Sequence, residues 1–182
     1  MHTITTLAKL IKQTSGTSII KSRFVSRLSE GYITRDENPH SHFCVYFAAY
    51  DPGRRLVFIG HHRKSGLWLF NGGHLDRSES VHTALEREIK EEWGIHVPGL
   101  AKAQPSLLTI TPIENPKKQT CTKHFDIWFF IPFNKDAFAP NKNLLKTEFY
   151  TWGWKSQQEA MNLMTDRASI EALHFLSQLF LH

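Results

Sequence analysis

Between Gly72 and Ile95 the sequence leaves little freedom for anything but one turn and one helix. A turn on Gly72-Gly73 leads into a helix predicted to start between Ser78 and Val81, where serine and glutamate suit an N-terminus, and Gly94 ends it. At about 100° per residue, Val81, Leu85, Ile89 and Trp93 line up as an apolar stripe, while Glu88, Glu91 and Glu92 fall on the neighbouring face beside the small Ala84. Three carboxylates are thereby gathered at the border of a buried face. Like charges held there without a counter-charge raise one another's pKa and cost stability. A divalent cation removes that cost, and hard oxygen donors on one rigid helix suit Mg²⁺ or Mn²⁺ better than Zn²⁺. Arg87 stands one turn before Glu91 and can reach back toward Glu79, which fits it for orienting carboxylates rather than for binding substrate. The competing explanation is an ordinary solvated acidic helix face. Against it stands the spacing: five residues separate Gly73 from Glu79 and seven more precede Arg87-Glu88, then Ile89, Glu91-Glu92, Gly94 and Ile95 follow in fixed places.

The rest of the chain bounds what surrounds that helix. At 182 residues, 41% hydrophobic and 12% aromatic, it is long and apolar enough for one globular domain with a substantial core. Two cysteines, Cys44 and Cys121, make no disulfide framework and have no metal-like spacing, so both are expected to be reduced and structural. Lys9 and Lys12 interrupt the only apolar stretch near the start, and no charge-free run is long enough to span a bilayer, so a soluble cytoplasmic protein without a membrane partner is expected. The net charge of +5 favours an anionic partner, but the lysines and arginines are scattered, with short pairs only at Arg54-Arg55, Arg63-Lys64 and Lys117-Lys118. A phosphorylated small molecule fits that distribution better than a nucleic acid does.

In chain order, residues 3 to 30 read as two helices broken around Ser15-Gly16, with Leu7, Leu10 and Ile11 on one apolar face and Ile20, Phe24 and Leu28 on another. Residues 1–38 are expected to form a helical cap packed on a domain of residues 39–182. Strands are predicted over His42 to Tyr50, Leu56 to Gly60, Leu67 to Phe70, Ser106 to Pro112, Lys123 to Pro132 and Glu148 to Trp154. Ser156 to Met164 and Arg167 to Leu181 are predicted amphipathic helices. Strands on both sides of a central helix, with helices at both ends, imply an α/β fold with a mixed sheet covered on two faces. Of the eleven histidines, none sits at a recognised ligand spacing with a third partner, so packing and hydrogen bonding are their expected roles. The same holds for most of Trp68, Trp128, Tyr150 and Trp152, of which one at most is expected to stack on a nucleobase.

All nine fixed positions of the central stretch, Gly73, Glu79, Arg87, Glu88, Ile89, Glu91, Glu92, Gly94 and Ile95, agree with the signature of the Nudix hydrolases, which it closely resembles. The likeness extends to His61-His62-Arg63-Lys64, to Gly72-Gly73-His74-Leu75-Asp76, to His124-Phe125-Asp126 and to Trp154-Lys155-Ser156 with Glu159-Ala160. It implies a Nudix α/β/α sandwich with a mixed central sheet, extra N-terminal helices and C-terminal helices. It implies a metal, Mg²⁺ or Mn²⁺, held by Glu88, Glu91 and Glu92 with the carbonyl of Gly73, while Glu79 supports the helix electrostatically. A further carboxylate is implied six residues before Trp154, at Glu148, with Glu114 as second choice. Asn71 departs from the proline that many members place before the two glycines, and asparagine tolerates unusual turn dihedrals.

The chemistry implied is hydrolysis of a diphosphate in a nucleotide or nucleoside-diphosphate derivative, by a water that a carboxylate deprotonates. Glu88 or Glu91 is the nearest candidate base, with Glu148 also open. Arg63 and Lys64 are candidates for binding a distal phosphate, with plain surface charge as the alternative, and Asp126 joins them as a candidate substrate contact. RNA 5′-end pyrophosphate removal and a nucleotide-sensing module without turnover are the alternative functions, and a homodimer is compatible with the resemblance. Isomerases of this fold carry a catalytic cysteine just before the glycine-histidine pair; Gly72 stands there, which argues against isomerisation.

Overall fold

A computed structural model of the chain describes residues 2–113 and 120–180. Glu114, the second choice for the added carboxylate, and the pair Lys117-Lys118 lie outside the described residues. The elements run α1 (His2–Gln13), α2 (Ser18–Ser29), β1 (Ser41–Asp51), β2 (Leu56–His62), β3 (Trp68–Leu69), β4 (Asn71–His74) and α3 (Val81–Trp93), followed by β5 (Leu107–Pro112), β6 (Lys123–Pro132), α4 (Lys142–Glu148), β7 (Phe149–Ser156), α5 (Gln157–Leu163) and α6 (Arg167–Leu179). The class is α/β, with a mixed seven-stranded sheet in the order β3-β2-β1-β6-β5; β4 pairs with β1 and β7 with β2. No helix among the described residues is long and apolar enough to cross a membrane.

The chain divides into two compact units, residues 1–46, 73–86 and 99–129 in the first and 47–72, 87–98 and 130–182 in the second. In the first, Thr17 caps α2 by accepting from the Ile20 N–H at 3.2 Å, and Phe24 of that helix is fully buried edge-on against Phe43 and Phe125. The Arg27 guanidinium, also buried, donates to the carbonyls of Tyr32 and Ser41 and so fixes the entry to β1. β5 and β6 pair antiparallel from Leu107 opposite Trp128 to Pro112 opposite Lys123. Trp128, whose Nε1–H donates to Thr109 Oγ1 at 2.8 Å and whose ring stacks on Tyr46, is core.

In the second unit β2 carries β3 on one side and β7 in a long antiparallel ladder, Leu56 opposite Ser156 through His61 opposite Thr151. Trp93, fully buried, is the hub of its core and meets Phe47, Phe58, Phe133 and Phe138 at ring-centroid distances of 4.7 to 6.4 Å. Ser156 and Glu159 form a reciprocal capping box that starts α5.

Two sequence expectations need correction. Gly72-Gly73, expected as a turn, belongs to β4, and the Leu75 N–H continues along β1 by donating to the Phe43 carbonyl at 3.1 Å. Paired glycines usually signal a turn, but the ladder to β1 holds their backbone extended. Glu148, expected at the start of a strand, is the last residue of α4. That helix is nucleated by Asn141, whose side chain accepts from the N–H groups of Asn143 and Leu144, and is anchored by one buried leucine, Leu145. Seven residues with a single buried contact give too weak a period to stand out in sequence.

Candidate active site

The carboxylates of α3 are graded by depth. The helix begins after Ser80, whose hydroxyl accepts from the Thr83 N–H at 3.1 Å, because Ser78 before it has φ of 68° and cannot be helical. Val81, Leu85, Ile89 and Trp93 are all buried, as the stripe requires. Glu88 and Glu92 are buried with them, whereas the Glu91 side chain is more than half exposed. Arg87 Nη1 donates to Glu88 Oε1 at 2.7 Å and to Glu91 Oε2 at 3.2 Å, so one guanidinium holds a deep and a shallow carboxylate.

Glu92 is the electrostatic centre. Burial pushes its carboxyl up to about 8; the Asn71 amide works against that shift, and the negative charges of Glu88 and Glu148 add to it. Asn71 Nδ2 donates to Glu92 Oε2, and the Gly72 N–H to Oε1 at 3.3 Å. Asn71 Oδ1 is buried and has no hydrogen-bond partner among the described residues. An acceptor without a donor, beside a carboxylate that cannot cheaply ionise, is what a cation or its bound water would relieve. The donor set is all oxygen, which fits a hard divalent ion.

Glu148 is brought in by α4 and by a cationic turn after β2. His62 Nε2 stands 3.7 Å and Lys64 Nζ 3.8 Å from Glu148 Oε2, while the Arg63 N–H donates to the Glu148 carbonyl at 2.8 Å. Burial is the main cause that keeps His62 below its ordinary pKa. Arg63 Nε donates to the carbonyls of Lys146 and Phe149 at 2.8 and 3.2 Å, and its guanidinium lies 4.6 Å over the exposed Tyr150 ring. Lys64 is 81% exposed. Gly94 joins the two sources of acid: its φ of 65° ends α3, and a side chain there would meet Asn141, the cap of α4, with Cβ to Cβ only 2.8 Å apart.

Three other residues expected at the site belong to the first unit. Gly73 is in β4. Glu79 Oε2 accepts from the Asp76 N–H at 3.0 Å, closing the loop before α3. Asp126 is fully buried on β6 and accepts from the hydroxyls of Thr109 and Thr111. Sequence reasoning missed the role of Asn71: its departure from proline was visible, but its contact with Glu92 spans 21 positions.

The NUDIX domain family profile matches residues 38–176. The chain belongs to the Nudix family. No curated protein matches it significantly. Among solved structures it is similar to the E. coli dihydroneopterin triphosphate pyrophosphohydrolase, at 18% identity over 72% of this chain and 91% of that one, with a TM-score of 0.53. A MutT protein from Methanosarcina mazei is 18% identical over 76% of this chain and 94% of its own, TM-score 0.53. The C. elegans Ap4A hydrolase is 19% identical over 77% and 98%, TM-score 0.52. Likeness at this identity establishes the Nudix fold.

Proposed function

We propose that this Nudix protein hydrolyses the diphosphate bond of a nucleotide or nucleoside-diphosphate derivative, with Mg²⁺ or Mn²⁺ held by Glu88, Glu91, Glu92 and Glu148. The observation that carries the reading is the buried Glu92, held by the Asn71 amide and the Gly72 N–H beside the buried Glu88 that Arg87 ties to Glu91, with Asn71 Oδ1 left without a hydrogen-bond partner among the described residues. When bound, a divalent cation neutralises phosphate oxygens and lowers the pKa of a bound water. Glu91, more exposed than Glu88 and Glu92 and oriented by Arg87, takes the proton from the attacking water. Glu92 is kept in place by Asn71 and the Gly72 N–H, and Glu88 by Arg87. Lys64, which only touches Glu148 at 3.8 Å, swings to a distal phosphate; Arg63 shapes the turn through the carbonyls it binds.

A nucleoside is supported by an aromatic surface two residues beyond Glu148. Tyr150 is exposed, His61 lies 5.4 Å from it, and Trp68 stacks on His61 with centroids 5.6 Å apart. A base stacked on such a surface gains about 1–3 kcal/mol.

The test is release of phosphate and nucleotide from dinucleoside polyphosphates, nucleotide sugars, ADP-ribose, nucleoside triphosphates and 5′-triphosphate RNA, with Mg²⁺ or Mn²⁺, by the parent and Glu91→Gln. One substrate class is expected to turn over and to lose about 10²–10⁴-fold in the variant, the range of a general base. Nucleotide binding without turnover in either protein would overturn the reading in favour of a sensing module.

A further inference from the structure

The histidines, expected from sequence only to pack, converge in the first unit. His42 and Cys44 are alternate residues of β1 and therefore share one face of the sheet. His74 lies on β4, which pairs with β1, and His124 on β6, the other neighbour of β1. The three imidazole rings stand 4.7, 4.9 and 5.0 Å apart by centroid, and one donor atom from each of His42, Cys44, His74 and His124 lies within 4.8 Å of all the others.

We propose that His42, Cys44, His74 and His124 are the four ligands of a second metal site, one that takes Zn²⁺ or a similarly thiophilic divalent ion. A tetrahedral zinc with bonds of about 2.0–2.3 Å places its donors roughly 3.3–3.8 Å apart, so the observed group needs only a small inward movement. The independent observation is His124: 7% exposed, with neither ring nitrogen hydrogen-bonded among the described residues. A buried imidazole that makes no hydrogen bond is costly unless something else takes its lone pair. His42 is set up for the same purpose: its Nδ1 faces the Asn38 carbonyl at 3.0 Å, which fixes the proton there and leaves Nε2 as the donor, the usual outer-shell arrangement of a metal-bound histidine. Burial keeps both His42 and His124 below their ordinary pKa, hence neutral and able to ligate near pH 7.

The donor set decides the ion. Three imidazoles and a thiolate select zinc-like metals, while Mg²⁺ and Mn²⁺ prefer oxygen, so the ions of the carboxylate cluster do not compete here. Four protein ligands leave no open position, which makes the site structural: it ties β1, β4 and β6 together at His42, Cys44, His74 and His124. Cys121 Sγ, 3.6 Å from His42 Nε2, is a neighbouring thiol outside this group of four.

The test loads the full, chelator-stripped chain with Co²⁺. We expect one tightly held ion per chain with a thiolate-to-cobalt charge-transfer band in the near ultraviolet, displaced by Zn²⁺ and indifferent to excess Mg²⁺. Glu88→Gln and Glu91→Gln keep the band, and so does Cys121→Ser. Cys44→Ser loses it, and His124→Asn weakens binding by more than the roughly 10–100-fold typical of outer-shell changes. Thermal melts of the stripped variants establish that each is folded. The proposal is overturned if folded parent protein shows no thiolate band, or if the band survives Cys44→Ser and vanishes in Cys121→Ser.

Discussion

In the second unit three carboxylates, Glu88, Glu92 and Glu148, are crowded together, and burial pushes Glu92 up to about 8. In the first unit three imidazoles and a thiol are crowded together, and burial, with His42 adding to it, holds His124 down to about 4. Loss of water acts in the same sense on both, against the charged form, yet the consequences differ. The acids are left needing a positive charge before they can ionise, whereas His42 and His124 are already neutral and present lone pairs. Burial makes either group receptive to a metal, and the atoms that line it choose which metal. A chain can thus hold a hard and a soft ion without confusing them.

The comparison breaks first on activity. Glu88→Gln preserves shape and removes a proposed metal ligand that Arg87 holds at 2.7 Å, and turnover should fall by at least about 10²-fold, since a bound cation supplies several kcal/mol of charge stabilisation. Cys44→Ser, assayed at a temperature where it is still folded, should cost less than about tenfold, since a closed four-ligand site does no chemistry. Equal losses in a steady-state assay would mean that the two clusters do not divide the work as proposed. Chelation with EDTA followed by Mg²⁺ alone sharpens the point: it should restore turnover without restoring zinc content.

Gly94→Ala tests how the acid cluster is assembled. A side chain at φ of 65° costs about 1–2 kcal/mol, and its Cβ would sit 2.8 Å from Asn141 Cβ and 2.9 Å from Leu144 Cδ1. Crowding of that kind adds about 1–3 kcal/mol. The expected total, about 2–5 kcal/mol, should appear as a lowered Tm together with weaker Mg²⁺ activation, because the displaced Asn141 caps the helix that ends in Glu148. A lowered Tm with unchanged Mg²⁺ dependence would separate Gly94 from the placement of Glu148.

The two clusters differ as sharply in what their sequence discloses. Glu88, Glu91 and Glu92 lie within two helical turns, so their convergence follows from the helical period alone. Glu148 is reachable only through its distance from Trp154, and the helix that carries it shows no apolar period because Leu145 is its one buried residue. Asn71 and Glu92 meet because β4 pairs with β1 instead of turning, a tertiary outcome that two glycines disguise. For the imidazoles only His42 and Cys44 are local, by strand alternation. His74 and His124 join them through the order β4 and β6 take around β1, and strand order leaves no local trace in sequence.

The smallest effects per step are in pH dependence, and there the clusters carry opposite signs. Glu92 has an ordinary pKa of 4.5 and about 8 in the folded chain, so between those values the native state holds a proton that the unfolded chain has released. In chelated protein its contribution is therefore lost as pH rises through that window, by at most about 1.4 kcal/mol per pH unit. His124 has an ordinary value of 6.5 and about 4 when folded; the unfolded chain takes the proton first, and stability is lost as pH falls from 6.5 to 4. Between 4.5 and 6.5 the two slopes oppose each other, leaving one loss on the alkaline side and one on the acid side. Denaturant melts across pH, taken as differences from the parent so that other groups cancel, should show Glu92→Gln removing only the alkaline loss and His124→Phe only the acid one. Saturating Mg²⁺ should mimic the first variant and not the second, because a hard cation stabilises the ionised Glu92 and has nothing to offer an imidazole. A single variant that flattened both limbs would show that the two titrations are coupled, and the separation of hard and soft sites would have to be abandoned.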